Sequence, residues 1–133
     1  MDDSTTAAAW PQAISAITLF VEDLSAAREF YQTAFGLPVF YAGDTSAVFK
    51  FGPTLINLLD VSSAPELIEP AAVADRAAGH RFVLTVTVDD VDAVCARLVE
   101  RGVTILNGPM DRPWGIRTAS FVDPGGHIWE IAR

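Results

Sequence analysis

The sequence predicts an α+β fold in which two paired βαβββ modules form a curled eight-stranded mixed sheet around a cavity. Three observations predict it. The hydrophobic period switches from two to 3.6 and back to two in each half of the chain. The segment Val21-Glu22-Asp23-Leu24-Ser25-Ala26 returns 67 residues on as Val88-Asp89-Asp90-Val91-Asp92-Ala93, and Gly36-Leu37 returns 66 residues on as Gly102-Val103. A length of 133 residues leaves room for one domain with one core. A strand, an acidic cap, a helix and a glycine exit occurring twice in one order indicate a duplicated unit.

Residues 1–13 carry no hydrophobic period and end near Trp10-Pro11, which predicts a flexible N-terminal arm. A single domain follows over 14–133, divided into a first module 14–60, a connector 61–80 and a second module 81–133. Ile17, Leu19 and Val21 alternate with Ala16, Thr18 and Phe20, the mark of a strand with two distinct faces. Asp23 then offers a carboxylate to the free amides of a helix start. Leu24, Ala27, Phe30, Tyr31, Ala34 and Phe35 recur at helical spacing, and Gly36 offers a left-handed exit. Strands are expected at Leu37–Tyr41, Ser46–Phe51 and Thr54–Asp60, separated by Gly43-Asp44 and Gly52-Pro53. The connector is rich in proline and small residues, with a short helix expected at Pro70–Ala78. In the second module Phe82–Val88 reads as a strand and Asp89-Asp90 as a cap. Val91, Val94, Cys95, Leu98 and Val99 form an apolar helical stripe, and Val103–Leu106, Gly115–Val122 and His127–Ala132 read as strands.

Half the residues are hydrophobic and a fifth are charged, a globular balance. Nine basic and seventeen acidic side chains give a net charge of −8, and Lys50 is the only lysine. A duplex or an anionic membrane needs clustered cations, so neither nucleic acid nor a membrane is an expected partner. The acidic start Met1-Asp2-Asp3 and the lack of a long apolar run argue against a signal peptide or membrane span. With one cysteine, Cys95, an internal disulfide is impossible, and a cytoplasmic setting is the expectation.

Three stretches resemble the vicinal oxygen chelate superfamily, which includes glyoxalase I, extradiol dioxygenases, fosfomycin-modifying enzymes and bleomycin resistance proteins. They are Val21-Glu22-Asp23-Leu24 with Phe30-Tyr31 and Phe35-Gly36-Leu37, then Val88-Asp89-Asp90-Val91-Asp92-Ala93, then Asp123-Pro124-Gly125-Gly126-His127-Ile128-Trp129-Glu130. The resemblance spans Ile14 to Arg133. It implies a deep cavity between curled modules, usually in a homodimer, and a divalent metal held by one side chain from the first and last strand of each module. The first-strand ligand lies seven residues before the acidic cap, which falls on Ala16 and Val83; the last-strand positions fall on Asn57 and Glu130. Two of the four carry no donor, and an amide with one carboxylate is a poor first shell for Zn²⁺, Mg²⁺ or Mn²⁺. The expectation is therefore no metal and no cofactor.

Strand alternation places Ala16, Thr18, Val83, Thr85, Ile128 and Glu130 on the faces that would line the cavity, with Asn57 opposite. Such a wall, apolar with a few polar groups, suits a small molecule. Glu130 needs a partner: a cationic ligand group, or an internal one such as Arg117 or Arg112. Trp114, on the Pro109–Gly115 link, either stacks on an aromatic ligand ring or plugs the sheet end. His127 is expected to close the Asp123-Pro124-Gly125-Gly126 turn by hydrogen bonding, His80 to be a solvated loop residue, and Phe30, Tyr31, Trp129, Ile131 and Cys95 to pack in the core. The leading expectation is a metal-independent binding protein, like the bleomycin resistance proteins, that holds an aromatic or cationic small molecule as a homodimer. The alternatives are a lyase, isomerase or dioxygenase using Glu130 as base or metal anchor, and a regulatory or assembly subunit.

Overall fold

The computed structural model describes residues 10–133, so most of the expected arm lies outside the described residues. The first module contains β1 (Ala16–Val21), α1 (Leu24–Ala34), β2 (Tyr41–Ala42), β3 (Ser46–Phe51) and β4 (Thr54–Asp60). A 3-10 turn at Val61–Ser63, the short helix α2 (Pro65–Ile68) and a second 3-10 turn at Arg76–Ala78 follow. The second module contains β5 (Leu84–Thr87), α3 (Val91–Glu100), β6 (Ile105–Asp111), β7 (Arg117–Val122) and β8 (Ile128–Ala132).

The eight strands form two four-stranded mixed sheets of the same topology, β1-β4-β3-β2 and β5-β8-β7-β6. In each, the strand before the helix runs parallel to the last strand of its module, and the other pairings are antiparallel. The repeat seen in the letters is thus a repeat of topology. Both caps form: Asp23 Oδ1 accepts from the Ala26 amide at 3.0 Å and Asp90 Oδ1 from the Ala93 amide at 3.1 Å. Both helices exit through a left-handed glycine, Gly36 at φ +68° and Gly102 at φ +87°.

Several boundaries differ from expectation. The helix expected at Pro70–Ala78 is replaced by α2 upstream and the Arg76–Ala78 turn. Leu37–Tyr41 contributes only the start of the two-residue β2, because Leu37 and Val39 pack against the core instead of joining a ladder. The largest difference is β6, which runs through Gly108-Pro109 to Asp111, where a link was expected. The strand tolerates the pair because its register against β7 shifts between Asn107 and Met110. Gly108 sits there at φ +87°, where a Cβ would fall 2.5 Å from the Thr118 carbonyl oxygen.

One face of each sheet carries the core. Leu19, Val21, Phe49, Ile56 and Leu58 pack from the first module, and Ala119, Phe121, Trp129 and Ile131 from the second, around Tyr31, Cys95 and Leu98 of the helices. The modules meet on these helix-packed faces. Phe51 stacks on Trp129 with ring centres 5.1 Å apart, Phe35 lies 5.0 Å from Trp129, and Phe30 lies 6.3 Å from Phe121. Arg101 Nη1, past the end of α3, donates to the Ala34 carbonyl at the end of α1 at 3.0 Å. Because the inner faces meet, the opposite faces of both sheets look outward.

Candidate functional site

Register defines what the outward faces display. On the first sheet Thr18 pairs with Asn57, Asn57 with Val48 and Val48 with Tyr41, so these four side chains form one row across β1, β4, β3 and β2. On the second sheet the same construction gives Thr85, Glu130, Ser120 and Asn107 across β5, β8, β7 and β6. Thr18 and Thr85 hold equivalent places, as do Asn57 and Glu130. Each pair touches: Asn57 Nδ2 donates to Thr18 Oγ1 at 3.5 Å, and Thr85 Oγ1 donates to Glu130 Oε1 at 2.9 Å. Asn57 Oδ1 is buried without a partner among the described residues.

Arg112 extends the second row. Its Nε donates to Thr118 Oγ1 at 2.8 Å and its Nη2 to Asn107 Oδ1 at 2.6 Å, which lays the guanidinium flat on the outer face of β6 and β7. Its donors go to those two residues and Met110, while Glu130 takes a hydroxyl donor from Thr85. Arg117 faces the other way. It alternates with Thr118 and binds Asp92 Oδ1 through Nη2 at 2.9 Å and Asp111 Oδ1 through Nη1 at 3.1 Å. The hydrogen bond from Arg117 draws the Asp92 carboxyl below its ordinary range. The expected pairing of Glu130 with Arg117 or Arg112 is therefore replaced by Thr85, and Arg117 leaves the candidate set. One register step decides this, since adjacent strand residues point to opposite faces.

Ala16 shares the outer face of β1 with Thr18, and Ile128 pairs with Val122 on the outer face of β8. Val83 lies one residue before β5 and is 48% exposed. Trp114 stands in the β6–β7 turn at 68% exposure, neither plugging the sheet end nor packed over the row. Cys95 is buried, and burial followed by the Asp92 charge raises its thiol pKa.

Sequence reasoning missed a buried polar bracket between the modules. Tyr31 donates its hydroxyl to Asp123 Oδ2 at 2.7 Å, and Trp129 Nε1 donates to the Tyr31 oxygen at 3.0 Å. As expected, His127 closes its turn: its backbone amide donates to Asp123 Oδ1 at 2.8 Å, with ring Nδ1 3.1 Å from the same oxygen. Burial pushes the 2% exposed Asp123 carboxyl up, but the hydrogen bonds and charge of His127 outweigh it and hold the group below its ordinary value. Burial, then the Asp123 charge, drives the Tyr31 phenol far above its ordinary range. The available signal was an Asp-Pro-Gly-Gly-His turn in one module and a tyrosine on the core stripe of the other.

The donor set does not fit a divalent metal. Ala16 and Val83 present hydrocarbon, which leaves one amide and one carboxylate, Asn57 and Glu130, of the four positions, and no group of three His, Cys, Asp or Glu side chains comes together among the described residues.

The model of the Glyoxalase/Bleomycin resistance protein/Dioxygenase superfamily matches residues 13–131. YraH of Bacillus subtilis strain 168, an uncharacterized protein, is 35% identical over 121 residues, covering 88% of this chain and 94% of YraH. DnrV of Streptomyces peucetius, an anthracycline biosynthesis protein, is 32% identical over 126 residues, covering 92% of this chain but 42% of DnrV. Among solved structures, a glyoxalase/bleomycin resistance protein/dioxygenase from Nocardioides superposes with a TM-score of 0.82 at 27% identity, over 93% of this chain and 84% of that one.

Proposed function

The chain belongs to the glyoxalase/bleomycin resistance protein/dioxygenase superfamily, and on that premise we propose that it binds a small molecule without a metal ion. The ligand is a flat aromatic molecule with a cationic group. The observation that carries this reading is Glu130. It is a half-buried carboxylate on an outward face whose hydrogen-bond partner is one neutral hydroxyl, so a ligand cation would complete it. Ile128 offers apolar area on the same face of β8, Val48 and Tyr41 of a second protomer would add more, and Trp114 is exposed in the β6–β7 turn. The resemblance to an anthracycline biosynthesis protein agrees with an aromatic ligand class.

The two rows look away from each other within one chain, so an enclosed site needs a second copy. A homodimer that sets Thr18 and Asn57 of one protomer against Thr85 and Glu130 of its partner would make two equivalent cavities by symmetry. No helix among the described residues is long and apolar enough to cross a membrane.

Titration with daunorubicin, an aromatic cation, followed by its fluorescence, tests the reading. Saturable binding that Glu130→Gln weakens about tenfold or more is expected. Zn²⁺, Ni²⁺, Mn²⁺ and a chelator should leave affinity and melting temperature unchanged. A stoichiometric metal in the purified protein, raising its melting temperature, would overturn it.

A further inference from the structure

A cavity of about 340 Å³ lies at the seam between the modules, with neither Glu130 nor Ser120 in its walls. Its walls are β1 from Thr18 to Phe20 with Glu22, the connector at 73–76 and 79–82, and the turn from Gly125 to Ile128. Two adjacent glycines shape the turn side. A Cβ at Gly125 would lie 2.7 Å from His127 Cε1, so the absent methyl is what lets the imidazole fold back over the chain. A Cβ at Gly126 would lie 3.3 Å from Arg76 Nε, so the guanidinium rests where that side chain would be, and φ +91° disfavours any residue but glycine there. Gly125-Gly126 is thus a platform that seats an imidazole and a guanidinium side by side. Phe82 lies parallel to the imidazole, at 10° with ring centres 6.4 Å apart.

The imidazole is oriented. Nδ1 faces the Asp123 carboxylate, itself fixed by the Tyr31 hydroxyl. With Nδ1 held at Asp123, Nε2 points away from that carboxylate as the ring's free polar atom. Nε2 has no partner among the described residues and is not among the buried unpartnered atoms, so it is open on a residue that borders the cavity. His80 and Arg81 add basic groups to the wall, against Glu22 and Asp75, and Asp75 Oδ1 accepts from the Ala77 amide at 3.4 Å.

We propose that the seam cavity binds a small hydroxylated aromatic carboxylate. Arg76 receives the carboxylate, His127 Nε2 hydrogen-bonds the ring hydroxyl, and Phe82 with Phe20 covers the ring. The site borders the outward faces through Thr18 and Ile128 but leaves Glu130 outside its walls, so Glu130→Gln tests the two readings apart.

Amide NMR titrations with 3-hydroxybenzoate, benzoate and 3-hydroxybenzamide read each contact. We expect shifts at Gly125, Gly126 and Phe82, with 3-hydroxybenzoate binding about tenfold more tightly than either analogue. Arg76→Gln should abolish the preference for carboxylate over amide, and Glu130→Gln should leave 3-hydroxybenzoate affinity within about twofold. Equal affinity for acid and amide in the native protein would overturn the proposal. So would an Arg76→Gln protein with unchanged affinity, or shifts centred on Thr85 and Ser120.

Discussion

The two modules share a topology and differ in what they place at equivalent positions. At the register where the first sheet shows Thr18, Asn57, Val48 and Tyr41, the second shows Thr85, Glu130, Ser120 and Asn107, with Arg112 laid beside them. The strands leading into β4 and β8 differ too. A two-residue Gly52-Pro53 turn closes the first hairpin, whereas the second uses a longer Asp123–His127 turn built on a buried carboxylate. Duplication preserved the parts that make a sheet pack on a helix. Charge and ionisable chemistry gathered in the second copy.

The largest effect that separates the modules is expected at Asp123. Asp123→Ala leaves the Tyr31 hydroxyl and the His127 amide without their acceptor in the interior, and should cost about 3–5 kcal/mol, read as a lower urea midpoint. Its first-module counterpart carries no such carboxylate, so Pro53→Ala in the tight turn should change stability by about 1 kcal/mol or less. The pH dependence follows from the same group. Asp123 is depressed below its ordinary 3.8 in the folded protein, so its stabilisation is complete above 3.8 and is lost as pH falls through the lower folded value. Native protein should lose stability across that acid window, and Asp123→Ala should lose less of it. Tyr31→Phe, which removes the hydroxyl that donates to Asp123 and accepts from Trp129 Nε1, should cost about 2–3 kcal/mol in the same measurement.

The same asymmetry explains which parts were legible in the sequence. Ser46–Phe51 and Thr54–Asp60 match β3 and β4 because alternation and turn residues agree there. The caps at Asp23 and Asp90 were legible because a carboxylate before a helical stripe has few other uses. β6 was not, since Gly108-Pro109 reads locally as a break and only its pairing with β7 shows a strand with shifted register. For the candidate site, alternation sorted Thr18 from Leu19 and Glu130 from Trp129. It could not say that the sorted faces turn outward, because that depends on Phe35, Phe51, Phe121 and Trp129 meeting across the modules. Arg117 was misplaced for a related reason: its side of β7 follows from the pairings of Thr118 with Ala132 and Ser120 with Glu130.

The smallest expected effect tests the comparison most finely. Thr18→Val and Thr85→Val are near-isosteric and remove one hydroxyl from equivalent places in the two rows. By distance alone the second should matter more, since the Thr85–Glu130 contact is 2.9 Å and the Thr18–Asn57 contact 3.5 Å. Burial argues the reverse. Glu130 keeps access to water when Thr85 is lost, because this contact is exposed, so the change should be under about 0.5 kcal/mol. Asn57 already has a buried Oδ1 without a partner, and losing Thr18 would strip its part-buried amide nitrogen as well, at a cost of about 1 kcal/mol. A larger shift of the urea midpoint in Thr18→Val than in Thr85→Val would place the better sealed polar pair in the first module and the solvent-ready carboxylate in the second. The opposite order would mean that the first row is as open as the second, and that charge alone distinguishes the two faces.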